Sequence, residues 1–300
     1  MKSLLVTPLV ILTLLASVHA DADAGKGIAA AKAGDYTTAA REFLKAAEQG
    51  DAEAQLFIGN MFKEQKRDEE AVIFYRLAAE QGNAGAQFNL GLMYDKGKGV
   101  PQDDKEAVMF YRLAAEQGNA DAQYNLGNMY LNGRGVLQDD KEAVKWLRLA
   151  TEQDYADAQS NLGFMYQHGR GVLQDNKEAM KWYRLAAEQG HAGGQYNLGV
   201  IYAKGQGVLQ DNKEALRWYR LAAEQGRTEA QNNLGVMYAN GRGVLRDFVY
   251  AYMWWNVSAS GGNEAATVGI DSITKLMTPT QIAEAQKLAR ECVAKEYKGC

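Results

Sequence analysis

The residues of this chain whose types could do chemistry are few, and those that recur are amides and cations. His168 and His191 match no H-E-x-x-H pattern, and neither G-x-S-x-G nor a phosphate-loop sequence accompanies them. His168 precedes Gly169 in a turn and is read as a surface residue; His191 follows a helix stop. Pairs such as Gly133 and Gly135 lack the preceding strand that a dinucleotide site requires. The expectation is no enzyme, no cofactor and no metal. What does recur is an asparagine series, Asn89, Asn125, Asn161, Asn197 and Asn233. An amide both donates and accepts, so such a series can hold an extended backbone. Beside it stand Phe88, Tyr124, Ser160, Tyr196 and Asn232, which differ in size. A position that varies among otherwise similar copies is not fixed by the copy's own packing and is free to select a partner. Lys98, Arg134, Arg170 and Arg242 form a second, basic edge, broken by Gln206. Arg76, Arg112, Arg148, Arg184 and Arg220 each precede a glutamate by four residues, a spacing that predicts helical ion pairs worth a few tenths of a kcal/mol.

These residues are positioned by a repeat. Gln87, Gln123, Gln159, Gln195 and Gln231 mark a constant spacing of 36 residues, and Gln55 precedes Gln87 by 32. A fixed period of this size is the mark of stacked helical hairpins. In the copy at 120–155, Ala122, Leu126, Met129 and Tyr130 fall on one helical face. Gly127 interrupts that helix at a cost of about 1 kcal/mol, which points to a close approach by a neighbouring helix. Gly133 then stops it, and Val136 and Leu137 are expected to bury in the turn. Asp139 and Glu142 predict a capping box for the second helix, whose apolar stripe is Ala143, Trp146, Leu147 and Ala150. Most copies end at Glu-Gln-Gly, as at Gly118, Gly190 and Gly226; Asp154 replaces that glycine. The marker glutamines are expected to bond to the backbone of the neighbouring copy.

The pattern A-x-A-Q-x-x-L-G-x-M-Y…G-x-G-V…D-x-x-E-A-x-x-W/F-Y-x-L-A-A-E-Q-G runs over residues 52–262 and resembles the Sel-1-like repeat family, relatives of the tetratricopeptide class. The resemblance implies an all-α, right-handed α/α superhelical solenoid of antiparallel helix pairs. It also implies that first helices line the concave surface, where the asparagines would meet a protein or peptide segment. A cysteine-rich branch of the family staples each repeat with a cysteine pair, and some of its members are linked to β-lactam binding. Those cysteines are absent here, so that activity does not carry over; a cell-wall or β-lactam hydrolase is the enzymatic alternative.

Residues 1–20 read as a secretory signal peptide, with Lys2 before an apolar run and Val18 and Ala20 at a cleavage site. Residues 21–50 read as a degenerate capping helix pair, 51–247 as the repeat array and 248–300 as capping helices. Trp254 and Trp255 are assigned to the packing of that cap, with an aromatic partner site as the alternative. Thr278, Pro279 and Gln281 predict a helix start. Cys292 and Cys300 can bridge if the last helix ends before Gly299, since eight helical residues rise about 12 Å. With 33 basic and 37 acidic side chains, evenly mixed, the chain is not built for nucleic acid, and no later run spans a membrane. The expected function is a monomeric, non-catalytic interaction scaffold in the bacterial periplasm or outside the cell. A secreted effector acting on a host or rival cell is the other alternative.

Overall fold

The computed structural model describes residues 25–300; the expected leader over residues 1–20 lies outside them. Among the described residues there are sixteen α-helices and no strand. The chain divides into two compact units, Met1–Ala150 and Thr151–Cys300. In the first, α1 (Gly25–Lys32) packs on α2 (Tyr36–Glu48), α3 (Ala52–Glu64) on α4 (Asp68–Glu80) and α5 (Ala84–Lys96) on α6 (Asp104–Glu116). Then come α7 (Ala120–Asn132), packed on α6, and α8 (Asp140–Thr151). In the second, α9 (Ala156–His168) packs on α10 (Asn176–Glu188), α11 (Ala192–Lys204) on α12 (Asn212–Ala223) and α13 (Thr228–Asn240) on α14 (Phe248–Ser260). Two last helices, α15 (Glu264–Thr274) and α16 (Pro279–Ala294), both lie against α14. The class is the expected one: all-α, built of helix pairs in which each second helix also packs on the first helix of the next pair.

Local chemistry sets the helix ends. Asp103, Asp139, Asp175, Asp211 and Asp247 each accept from two backbone N–H groups, two and three residues on. The reciprocal half of the predicted boxes is not made. Glu142, Glu178 and Glu214 turn instead to Lys145, Lys181 and Arg217, one turn along the same helix. A complete capping box forms at Thr278 and Gln281. Asp154 stands at φ +58°, in the left-handed region its siblings fill with glycine, at a cost of about 1 kcal/mol.

The mid-helix glycine admits a ring. A Cβ on Gly199 would lie 2.7 Å from the Tyr219 ring, so α11 and α12 touch where the side chain is missing. At Gly127 the neighbour is Leu147, whose Cγ would lie 3.0 Å away. Above this contact the marker glutamines lock neighbouring pairs. Gln195 Nε2 donates to the Ala187 carbonyl (3.2 Å), and its Oε1 accepts from Gln225 Nε2 (2.8 Å). Gln55, Gln87 and Gln231 donate in the same way to Ala47, Ala79 and Ala223, as expected.

Three expectations are corrected. Leu137 does not bury: it is 91% exposed, as are Leu173, Leu209 and Leu245 to nearly the same degree, because the G-x-G turn points it away from both helices of the pair. Arg112, Arg184 and Arg220 do not pair with the glutamates four residues on. They donate to the hydroxyls of Tyr130, Tyr202 and Tyr238 on the following first helix, and Arg76 donates to Tyr94. A half-buried phenol oxygen offers a fixed acceptor, while the glutamates stay in solvent. Trp254 is fully buried and Trp255 nearly so, inside the core formed by α13 to α16, so neither is available to a partner. Cys292 and Cys300 are joined in a disulfide with Cα atoms 5.5 Å apart, because α16 stops at Ala294 and the chain turns back through Glu296 and Tyr297 at positive φ.

Candidate binding groove

In the second unit, first helices α11 and α13 leave a groove between them, and the second helix α12 floors it. Tyr219 lies at the bottom, 4% exposed. Tyr196, Ala203 and Lys204 come from α11, Asn233 and Met237 from α13, Asn212 from the first turn of α12, and Arg242 from the turn after α13. The cavity measures about 320 Å³. The Tyr196 and Tyr219 rings lie 6.0 Å apart at 39°. Burial pushes both phenols above their ordinary range, and the Asn233 amide, lying against them, opposes part of that rise. The phenols therefore stay neutral and serve as hydrogen-bonding groups, not as bases.

The first unit repeats the construction 108 residues earlier. Tyr111 is the floor, Asp95 and Lys96 come from α5, Asn125 and Met129 from α7, and Arg134 from the following turn, around a cavity of about 390 Å³. Phe88 stands where Tyr196 stands, with its ring 6.0 Å from that of Tyr111. The electrostatics differ. Arg134 donates to Asp95 at 2.6 Å and to both oxygens of Asp104, and Lys96 lies 2.9 Å from Asp95. Burial pushes the Asp95 carboxyl up, but Lys96 and Arg134 outweigh it and hold the group below the usual carboxylate range. Asp104 in turn raises the Arg134 guanidinium.

The sequence-predicted residues divide accordingly. Asn125 and Asn233 line grooves. Asn89 does not stand open: its Nδ2 donates to Asn60 (3.2 Å) and its Oδ1 accepts from Lys63 (3.4 Å). Asn161 and Asn197 are half-buried on α9 and α11, and Tyr124 joins the rim of the first groove. Of the basic edge, Arg134 and Arg242 reach grooves, Lys98 is exposed, and Arg170 is half-buried with interactions of its own. Asp95, Asp104, Lys204, Ala203 and Asn212 were not singled out from the sequence. Their signal was present in register: they lie 30, 38 or 39 residues before the turn arginine of the next copy. His168 accepts or donates at the Phe164 carbonyl, and His191 caps α11 by accepting from Gly194, while its other nitrogen faces Asp157. No cluster of three or more His, Cys, Asp or Glu able to hold a metal occurs among the described residues.

The repeat profile that matches this chain is the Sel1 repeat, over residues 26–51, 52–83, 84–119, 120–155, 156–191, 192–226 and 228–263. This protein belongs to the Sel1 repeat family. Among solved structures, a Sel1 repeat protein from Oxalobacter formigenes is 35% identical, covering 79% of this chain and 97% of its own, with a TM-score of 0.72. The c5321 protein, described as a protective antigen of uropathogenic Escherichia coli strains with the same repeat fold, is 29% identical over 92% of this chain and 68% of its own, with a TM-score of 0.63. No functionally curated protein matches the chain. Sel1 repeat proteins are typically interaction scaffolds, and the fold is generally non-catalytic. Among the described residues no helix is long and apolar enough to cross a membrane.

Proposed function

We propose that this Sel1 repeat protein is an exported, non-catalytic scaffold that binds a protein or peptide segment along the face shared by its first helices, in the periplasm or outside the cell. The observation that carries this reading is one groove built twice, 108 residues apart, on the same tyrosine floor with the same asparagine wall and a differently charged rim. Neutral phenols and amides suit an uncharged backbone, and the rim supplies selectivity. The terminal disulfide suits an oxidising compartment, and the likeness to a protein described as a protective antigen supports export. The N-terminal pair and the helices after Asp247 are assigned to closing the ends of the array, where an uncovered apolar face would otherwise meet water.

The test is capture from a bacterial envelope extract with wild type and with an Asn125→Ala, Asn197→Ala, Asn233→Ala variant, helicity being checked in parallel by circular dichroism. The reading expects partners held by wild type to be lost from the variant while helicity is kept. Equal capture by both proteins would exclude the asparagine face. Fractionation of the producing cells checks export, and recovery in the cytoplasm would exclude it.

A further inference from the structure

We infer that the Tyr219 groove holds a carboxylate of the bound segment, an Asp or Glu side chain, between Arg242, Lys204 and Asn212. The inference deepens the groove reading and rests on it. It comes from laying the two grooves over each other. In the first unit the turn arginine, Arg134, is neutralised by the protein itself, through Asp95 and Asp104. The residues at those two places in the second unit are Ala203 and Asn212. The arginine and the lysine of the pair are kept, as Arg242 and Lys204.

Removing both acids has three consequences. Among the described residues no carboxylate lies within 4 Å of Arg242 or Lys204, so two cations face one cavity without a counter-charge. The nearby acids are committed elsewhere: Asp211 caps α12, Glu214 pairs with Arg217 and Glu229 with Arg227. Ala203 ends at its Cβ, so the volume that the Asp95 carboxylate fills in the first unit is open here. Asn212 replaces an acceptor-only group with an amide that can donate. The first unit thus displays the occupied form of the site, with Asp95 in the place of the ligand. Arg242, freed from partners, is also the more exposed of the two arginines, as a group held for something outside the chain would be. A guanidinium fork matches a carboxylate in two parallel hydrogen bonds, which sets both the chemistry and the orientation of the incoming side chain.

The full chain, with its arginine side chains ¹⁵N-labelled, is titrated with three probes: a short Gly/Ser peptide carrying one Glu, the same peptide with Gln, and inorganic phosphate. The Glu peptide should shift the Arg242 signals and bind about tenfold or more tightly than the Gln peptide. Arg242→Gln should remove that preference. So should Ala203→Asp with Asn212→Asp, which keeps the arginine and restores the internal acids. The reciprocal Asp95→Ala with Asp104→Asn should create a second Glu-preferring site at Arg134. Equal binding of Glu and Gln peptides overturns the proposal, as does no binding of either. Tighter binding of phosphate than of the Glu peptide, or a preference that survives the restored acids, does the same. If these outcomes occur while the asparagine variant still loses its envelope partners, the carboxylate subsite falls and the groove stands.

Discussion

The Arg134 and Arg242 grooves share a floor, a wall and a pair of cations, and differ in two residues. One is closed by its own charges; the other leaves those charges to a visitor. The lesson is that in a repeat protein the scaffold residues and the selecting residues occupy separate registers. The glycine, the tyrosine beneath it and the asparagine keep the groove open in both units. The residues that decide what fits are a helix-end pair, Asp95 with Asp104 or Ala203 with Asn212, which no packing demand fixes.

The largest effect should come from attacking what the two grooves share. Gly199→Ala and Gly91→Ala each place a methyl group 2.7–2.8 Å from a tyrosine ring carbon, and both should cost about 2 kcal/mol in urea unfolding, net of the helix propensity that alanine gains. Gly127→Ala meets the branch of Leu147 at 3.0 Å instead, which can yield, and should be near neutral. A large loss at Gly127 as well would mean that the ring is not what the glycine admits.

Next is exchange of the acids. Asp95→Ala with Asp104→Asn should lower stability by about 1 kcal/mol, a modest figure because Arg134 and Asp104 are partly in solvent. Ala203→Asp with Asn212→Asp should raise it by a few tenths to about 1 kcal/mol. Thermal unfolding of the four proteins checks the signs; the same sign in both exchanges would break the comparison.

A smaller effect is expected with pH. Asp95 is held below the ordinary carboxylate range, so the unfolded chain takes up its proton first as the solution is acidified. Its contribution is present above pH ~4 and is lost as pH falls through the lower folded value. Wild type should therefore lose stability below pH ~4 relative to Asp95→Asn, and identical acid limbs would contradict the pairing. The smallest effect is a control common to both regions. Arg112→Gln and Arg220→Gln each remove one bond to a tyrosine hydroxyl, 2.6 and 2.8 Å long, and should cost about 0.5–1 kcal/mol alike.

Much of the fold was legible because it repeats. A glutamine every 36 residues, glycine stops and aspartate caps each name a local structure, and the locks from Gln55, Gln87, Gln195 and Gln231 are the ones read from the chain. What misled was the assumption that nearest neighbours in a helix are nearest in space. Arg112 faces both Glu116 and Tyr130, and the half-buried hydroxyl on the next helix wins over a solvated carboxylate. Leu137 misled for the related reason that hydropathy says nothing of the direction of a turn. The site was half legible. Asn125, Asn233, Arg134 and Arg242 were singled out from their own copies, but the meaning of the two arginines depends on residues 30 and 39 positions earlier.

The glutamine lock has an evolutionary reach. It grips a backbone carbonyl on one side and another glutamine on the other, and both are features that most copies carry. Such a fastening accepts a copy without regard to its remaining side chains. A gene encoding it can gain or lose a unit by unequal recombination without redesigning a seam, and each new unit arrives with a rim free to drift toward a different guest.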